Sequence, residues 1–171
     1  DAPVSSIPAR HTLSVLVDNE PGVLARIAGL FSGRGYNIES LTVSETEHEK
    51  HVSRITIVTT GTAMVIEQIK HQLDRLVPVH RVVDLTTEGE AIERELALVK
   101  LVGKGESRSE ALRLAAAFGA RTVDATLNSF VFELTGTSEE IERYLRAVSE
   151  LGLAEVSRTG IAAMARGVAA F

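Results

Sequence analysis

The chain has 171 residues, of which 44% are hydrophobic, enough apolar material for one medium domain or two small ones. Its formal net charge of −5 and its 4% aromatic content argue against a nucleic-acid partner, which needs a basic surface and rings that stack on bases. The absence of cysteine excludes disulfides and thiolate chemistry and fits a reducing compartment.

Residues 1–10 have neither the basic start nor the apolar centre of a secretory signal, and we expect them to form a flexible N-terminal arm. No apolar run reaches about 18 residues, so a membrane span is not expected. Together with the absence of cysteine, this composition favours a cytoplasmic location.

Residues 11–87 follow a strand–helix–strand–strand–helix–strand pattern. Leu13, Val15 and Val17 alternate as in a strand, and apolar residues at helical spacing follow from near Pro21 to the glycines at 33 and 35. The remaining elements are predicted, in order, as a strand over 37–44, a strand over 52–61, a helix over 65–76 and a strand over 79–85.

Residues 88–171 repeat this order, after a Glu-rich joint predicted over 86–93. Capping-box patterns at residues 107–110 and 137–140 predict the starts of two helices, which we expect to end at Phe118 and Gly152. Strands are predicted over 96–102, 122–127, 130–134 and 154–164. The halves share a topology rather than an alignable repeat.

The predicted fold class is therefore α+β, with two ferredoxin-like βαββαβ domains, each with both helices on one face of an antiparallel sheet. In this topology the second strand lies at an edge. Residues 37–44 carry no Lys or Pro that would block that edge, so pairing with a second copy is expected and the chain would be a homodimer. The alternative is that the second half of the chain covers the edge.

The segment between the first strand and the first helix, residues 18–24, is suited to bind a small anion. A proline at a helix start loses no hydrogen bond, and Gly22 allows a ligand to approach the backbone. The free N–H groups and the positive end of the helix dipole favour a carboxylate there. Dimerisation through the edge strand would bring Asn37 of one copy close to Gly22 of the other.

These residues resemble a known family. Residues 13–17, 19–24 and 35–43 look like the ACT domain of the small, regulatory subunit of acetolactate synthase, and residues 94–100 and 157–160 resemble its C-terminal domain. The resemblance implies a protein without catalysis of its own and without a cofactor. It would activate a large catalytic subunit carrying thiamine diphosphate, FAD and Mg²⁺. It would also confer feedback inhibition by valine, and in some members by leucine or isoleucine, bound at the ACT dimer interface.

The family's effector site maps onto seven positions of this sequence: Asn19, Pro21, Gly22, Val23, Leu24, Asn37 and Ile38. The amides of residues 22–24 would bind the carboxylate of the amino acid, and Asn19, Asn37 or Asp18 could accept from its ammonium group. The aliphatic pocket would include Leu24, Ile38 and Val43. A structural alternative remains for each polar residue: a helix cap for Asn19, a turn for Gly22 and Asn37, and a structural or solvated role for Asp18.

Other functions have weaker support in the sequence. The charged segment 48–51 lacks the i, i+4 histidine spacing of a zinc-protease helix, so no metal site is expected. No nucleophile or acid–base set is found, so no catalytic residues are assigned. The rival function is a free-standing amino-acid sensor that acts on another enzyme or on transcription.

Overall fold

The structure, a computed structural model, describes residues 6–47, 51–87 and 91–171. These residues form two compact units. The first contains the described residues up to Ile92 together with Ile161–Phe171, and the second is Glu93–Gly160. The division differs from the predicted domains 11–87 and 88–171, because the C-terminal segment belongs to the first unit. Within the predicted joint, residues 88–90 lie outside the described residues.

The first unit contains one four-stranded antiparallel sheet with strand order β2-β3-β1-β4. Its elements are β1 (Ala9–Asp18), α1 (Val23–Gly33), β2 (Ser40–Glu47), β3 (Val52–Gly61), α2 (Ala63–Asp74) and β4 (Val79–Asp84). This order confirms the predicted βαββαβ arrangement and the edge position of the second strand.

One face of this sheet forms a hydrophobic core with the two helices. Leu13, Val15 and Val17 are buried on that face because alternate residues of a strand point to the same side. Helix α1 contributes Ile27 and Phe31 to the same core, so its start is held at the end of β1, where the predicted anion site lies.

The second unit has the same topology, with strand order β6-β7-β5-β8. Its elements are β5 (Ala91–Val102), whose first two residues belong to the first unit, α3 (Glu106–Phe118), β6 (Arg121–Ala125), β7 (Ser129–Gly136), α4 (Ser138–Val148) and β8 (Leu153–Arg158). A further strand, β9 (Ala162–Ala165), belongs to the first unit. The predicted α+β class with two ferredoxin-like domains is confirmed.

The two predicted capping boxes have different outcomes. Thr137 caps α4, and its hydroxyl and the Glu140 side chain exchange hydrogen bonds with each other's backbone. Ser107, by contrast, lies inside α3, which begins at Glu106 after Gly105. Gly105 has a φ of 68°, a left-handed conformation that glycine adopts without penalty, so the helix starts earlier than predicted.

Both chain ends differ in part from the predictions. Residues 1–5 of the predicted arm lie outside the described residues, but Ala9 and Arg10 are not a free arm, since they pair with Gly61 and Thr60 in the sheet. The single strand predicted over 154–164 is divided into β8 and β9. Gly160, with a φ of 85°, lies between the two strands and turns the chain there. No helix within the described ranges is long and apolar enough to cross a membrane.

A buried ion pair joins two strands of the second unit. Glu95 is 5% exposed, and the Arg158 guanidinium donates to both of its carboxylate oxygens, at 2.8 and 3.0 Å. Ser138 donates to the same carboxylate at 3.2 Å. The hydrogen bonds from Arg158 are the main reason why the pKa of Glu95 lies below its usual value.

We expect Arg158→Ala to lower the free energy of unfolding by about 2–3 kcal/mol at pH 7, because it leaves a buried carboxylate without its cation. In the folded protein the pKa of Glu95 is lowered, so the pair stabilises the protein above the unfolded-state pKa and loses this effect as pH falls through the folded pKa. The penalty should therefore shrink below about pH 4. Urea unfolding at pH 7 and pH 3.5 measures it, with exposed Arg143→Ala as control. An equal penalty at both pH values would contradict this account.

Candidate effector site

The loop after β1 positions the start of α1. The N–H of Asn19 donates to the carbonyl of His51 at 2.7 Å, which fixes the loop beside β3. Gly22 is the N-cap, with a φ of 86°, and its carbonyl accepts from Arg26 at 3.0 Å. The helix therefore begins at Val23, and the prediction that it begins near Pro21 is wrong by two residues. The left-handed backbone at Gly22 is incompatible with a helical turn through Pro21.

The first turn of α1 presents an open, positively polarised surface. The N–H groups of this turn have no helix carbonyl four residues earlier to which they could donate. The N–H of Val23 makes only a long hydrogen bond, 3.5 Å, to the carbonyl of Glu20. No acidic side chain lies in this turn. A Cβ placed on Gly22 would meet no atom within 4 Å, so the space in front of it is free for a ligand. The helix dipole favours an anion at this position.

The polar side chains at the end of β1 have defined partners. The Asp18 carboxylate lies 2.5 Å from Nε2 of His80, as its structural alternative predicts. The Asn19 side chain donates to Glu45 on β2, with 3.4 Å between Nδ2 and Oε1. Because α1 has no side-chain cap, the helix-cap alternative for Asn19 is wrong. Sequence reasoning missed Glu45, because its position beside Asn19 depends on the register of three strands.

Asn19→Ala therefore separates ligand binding from helix stability. We expect it to change the free energy of unfolding by less than about 0.5 kcal/mol, because no cap is lost. The matched variant is Thr137→Ala, which removes a real cap and should cost about 1 kcal/mol. Urea unfolding of both variants makes the comparison. A loss at Asn19 as large as that at Thr137 would restore the cap interpretation.

The second predicted half of the site precedes β2. Helix α1 ends in a Schellman motif, in which left-handed Gly35 donates to Ser32 and Tyr36 donates to Phe31. The turn residue is thus Gly35, and the turn alternative for Asn37 is wrong. The Asn37 carbonyl accepts a hydrogen bond from the Thr59 hydroxyl at 2.5 Å, and Asn37 as a whole is exposed. Strand β2 begins at Ser40 and not at Asn37 as predicted, and the Asn37 carbonyl accepts from a side-chain hydroxyl instead of joining the backbone ladder.

The two halves of the site lie at opposite ends of the sheet within one chain. Asp18 pairs with Val52 and directly precedes the loop of residues 19–22, which we call the Gly22 loop. Asn37, in contrast, is bonded by Thr59. Val52 and Thr59 are seven residues apart on β3, which corresponds to about 23 Å at 3.3 Å per residue. One chain therefore does not bring Asn37 and Gly22 together around one small molecule.

The edge of the sheet at β2 is open. Within the part of the chain that the structure describes, only β3 adjoins β2. The main chain of Ile161 does contact this strand, but through the side-chain hydroxyls of Ser40 and Thr42. These contacts lie on one face of β2 and leave its backbone edge unpaired. Val43 is 51% exposed and Leu24 46% exposed, so two of the predicted pocket residues are accessible. Ile38 packs against the core.

The described ranges contain no group of three or more metal-ligating side chains. Of the charged segment 48–51, discounted above as a metal site, residues 48–50 lie outside the described residues.

Two family models match this chain. The model described as an AHAS small subunit-like ACT domain matches residues 13–81. The model described as the small subunit of acetolactate synthase matches residues 94–167. The two matched segments fall on the two βαββαβ halves of the chain.

Individual proteins agree with these matches. The probable acetolactate synthase small subunit of Archaeoglobus fulgidus is 44% identical over 158 residues, covering 92% of this chain and 98% of the relative. The acetolactate synthase small subunit of Haemophilus influenzae is 45% identical, covering 92% and 96%. The crystal structure of the small subunit from Thermotoga maritima aligns with a TM-score of 0.83 at 36% identity, covering 94% of this chain and 99% of that one.

Proposed function

We propose that this chain, which belongs to the family of acetolactate synthase small subunits, activates a separate catalytic subunit and makes it sensitive to valine. The observation that carries the proposal is the open first turn of α1, with left-handed Gly22 and no acidic side chain, in a chain of this family. The process served is the biosynthesis of valine, leucine and isoleucine. The large subunit carries thiamine diphosphate, FAD and Mg²⁺, whereas this chain carries no cofactor and no catalytic residue. Both subunits work in the cytoplasm.

The effector site would be completed by a second copy of the chain. If two β2 strands pair antiparallel about a two-fold axis, the start of each strand lies beside the end of the other. The partner subunit's Asn37 then lies near Glu45 and Asn19, at the end of the sheet that holds Gly22. This arrangement removes the separation of about 23 Å within one chain, and it uses the open edge of β2.

Valine suits this composite site in each of its three parts. Its carboxylate would accept from the N–H groups of residues 22–24, as anions do at helix N-termini. Its ammonium group would donate to the side-chain oxygens of Asn19 and of the partner subunit's Asn37. Its isopropyl group would pack on exposed Leu24 and Val43. Pro21 and Val23 shape the loop, and Ile38 borders the pocket.

Control of the catalytic subunit would follow from linkage. Valine favours one arrangement of the regulatory dimer, and the catalytic subunit binds another. A coupling free energy of about 1–3 kcal/mol gives a 5- to 150-fold shift in affinity. The effector therefore needs no contact with the active site that it regulates.

Reconstitution tests the proposal. The chain is added to a purified acetolactate synthase large subunit, and acetolactate formation from pyruvate is followed with and without valine. We expect activation that valine reverses, and no acetolactate from the isolated chain. Binding of valine without activation or co-purification of the large subunit would instead support the free-standing sensor.

A further inference from the structure

A cavity of about 270 Å³ lies on the face of the first sheet opposite the helices. Its walls come from the sheet and from the C-terminal segment of the same unit, and include Ser14, Arg54, Leu85, Ala163, Val168 and Phe171. A single water needs only about 10–15 Å³ of such space, so this cavity has room for a small organic molecule. It lies apart from the Gly22 loop, none of whose residues lines it.

Two residues that line this cavity carry a buried polar atom with no hydrogen-bond partner among the described residues. The first is Ser14, which is 2% exposed and whose hydroxyl oxygen is unpaired there. The Nε of Arg54 is likewise buried and unpaired. Leaving a buried donor unpaired costs free energy, and the cost is larger for a charged group. Two such groups at one cavity therefore indicate a missing acceptor.

The sheet register explains why the two groups face the same space. On β1, Ser14 and Leu16 point away from the helices, opposite to the core residues Leu13 and Val15. Arg54 is the direct partner of Leu16 on the adjacent strand β3, so its side chain emerges on the same face as Ser14. The guanidinium and the hydroxyl thus belong to one surface.

The C-terminal segment closes this surface. It is anchored at β2, where Ser40 and Thr42 bond the main chain of Ile161. At the other side of the sheet, the Phe171 ring lies 4.8 Å from the guanidinium carbon of Arg81 on β4. Residues between these anchors line the cavity together with Ser14, which is buried. They also leave Arg54 without a carboxylate partner among the described residues.

The chemistry of the walls defines the ligand class. A guanidinium offers a planar fork of donors that matches a carboxylate. Leucine, alanine, valine and phenylalanine side chains provide an apolar remainder. Among the described residues, no acidic side chain lines the cavity, so no side-chain carboxylate there compensates an ammonium group. Arg54 is the one charged side chain among the described lining residues, and a single positive charge matches a monoanion better than a phosphate dianion.

We propose that this cavity binds a small aliphatic monocarboxylate without an amino group, such as a 2-oxo acid, with its carboxylate on Arg54 and Ser14. The site is distinct from the proposed valine site and does not depend on it.

Amide NMR spectra of the full ¹⁵N-labelled chain, titrated with 2-oxoisovalerate, test this proposal. We expect saturable shifts at Leu85 and at residues 163–170. Arg54→Gln should raise the apparent Kd at least about tenfold, because a charge-assisted hydrogen bond contributes about 1.5–3 kcal/mol. Ser14→Ala should raise it by a few-fold. The matched control Arg143→Gln removes one exposed arginine of the second unit and should leave the Kd unchanged.

Other outcomes overturn the proposal. The first is that the spectra show no shifts at Leu85 and residues 163–170, or shifts only in the Gly22 loop. The second is an unchanged Kd in Arg54→Gln. The third is that valine or inorganic phosphate binds in the cavity as tightly as 2-oxoisovalerate. If Arg54→Gln does not fold, Arg54→Lys is used, since it keeps the charge but loses the planar fork. An unchanged Kd in that variant excludes the site as well. Failure of valine to move the Gly22 loop would count against the proposed function alone.

Discussion

Gly22→Asp should raise the valine concentration for half-maximal inhibition about 100-fold, while activation of the catalytic subunit remains. The new carboxylate would stand beside the proposed position of the valine carboxylate. Like charges about 5 Å apart at an effective dielectric constant near 20 repel by about 3 kcal/mol, which corresponds to about 100-fold in affinity. The added Cβ meets no atom of the chain within 4 Å, so the substitution causes no clash and its structural cost is the backbone strain at a φ of 86°.

Gly22→Asn is the matched control, because it introduces the same shape without the charge. Both residues must adopt the left-handed conformation at a φ of 86°, which Asn and Asp tolerate better than other side chains. Inhibition curves of the two variants in the reconstituted enzyme separate charge from backbone strain. Equal losses in both would show that repulsion of the carboxylate is not the cause.

A mixed dimer of one Gly22→Asp chain and one Asn37→His chain should bind one valine, although each homodimer binds almost none. If each site takes Gly22 from one chain and Asn37 from the other, one site receives both changes and the second receives neither. If each site lay within one chain, both sites would carry one change. The first arrangement is favoured because the strand positions beside which Gly22 and Asn37 lie, Val52 and Thr59, are about 23 Å apart along β3.

Two affinity tags, one on each chain, isolate the mixed dimer, and calorimetric titration counts its valine sites. We expect one site per dimer with wild-type affinity, against two in the wild type. Zero sites in the mixed dimer would contradict the composite site. Wild-type inhibition in both homodimers would instead show that valine binds elsewhere.

Local patterns predicted much of the fold. The alternation of Leu13, Val15 and Val17 gave β1 and its buried face, since that period depends on the strand alone. The Thr137 capping box was confirmed because both of its partners lie within four residues. The starts of α1 and α3 were missed. Each depends on a left-handed glycine whose conformation the sequence permits but does not require.

The candidate site shows the same division. The sequence singled out Gly22 from the local chemistry of its loop, and Asn37 from the family resemblance and the predicted pairing of the edge strand with a second copy. It did not show that Asn19 contacts Glu45, that Thr59 holds Asn37, or that these contacts lie at opposite ends of β3. Such contacts depend on strand register, which residues far apart in the chain set together.

By itself, the sequence determined the order of elements, the topology of both halves and the family, because periodicity, capping and motifs are encoded over short stretches. Only the tertiary structure decided that the two halves of the candidate effector site are separated within one chain. It alone also showed that residues 161–171 return to the first sheet and enclose Ser14 and Arg54. The physical reason is that pairing across the sheet and burial of its outer face join residues up to about 150 positions apart, a distance over which no local pattern extends.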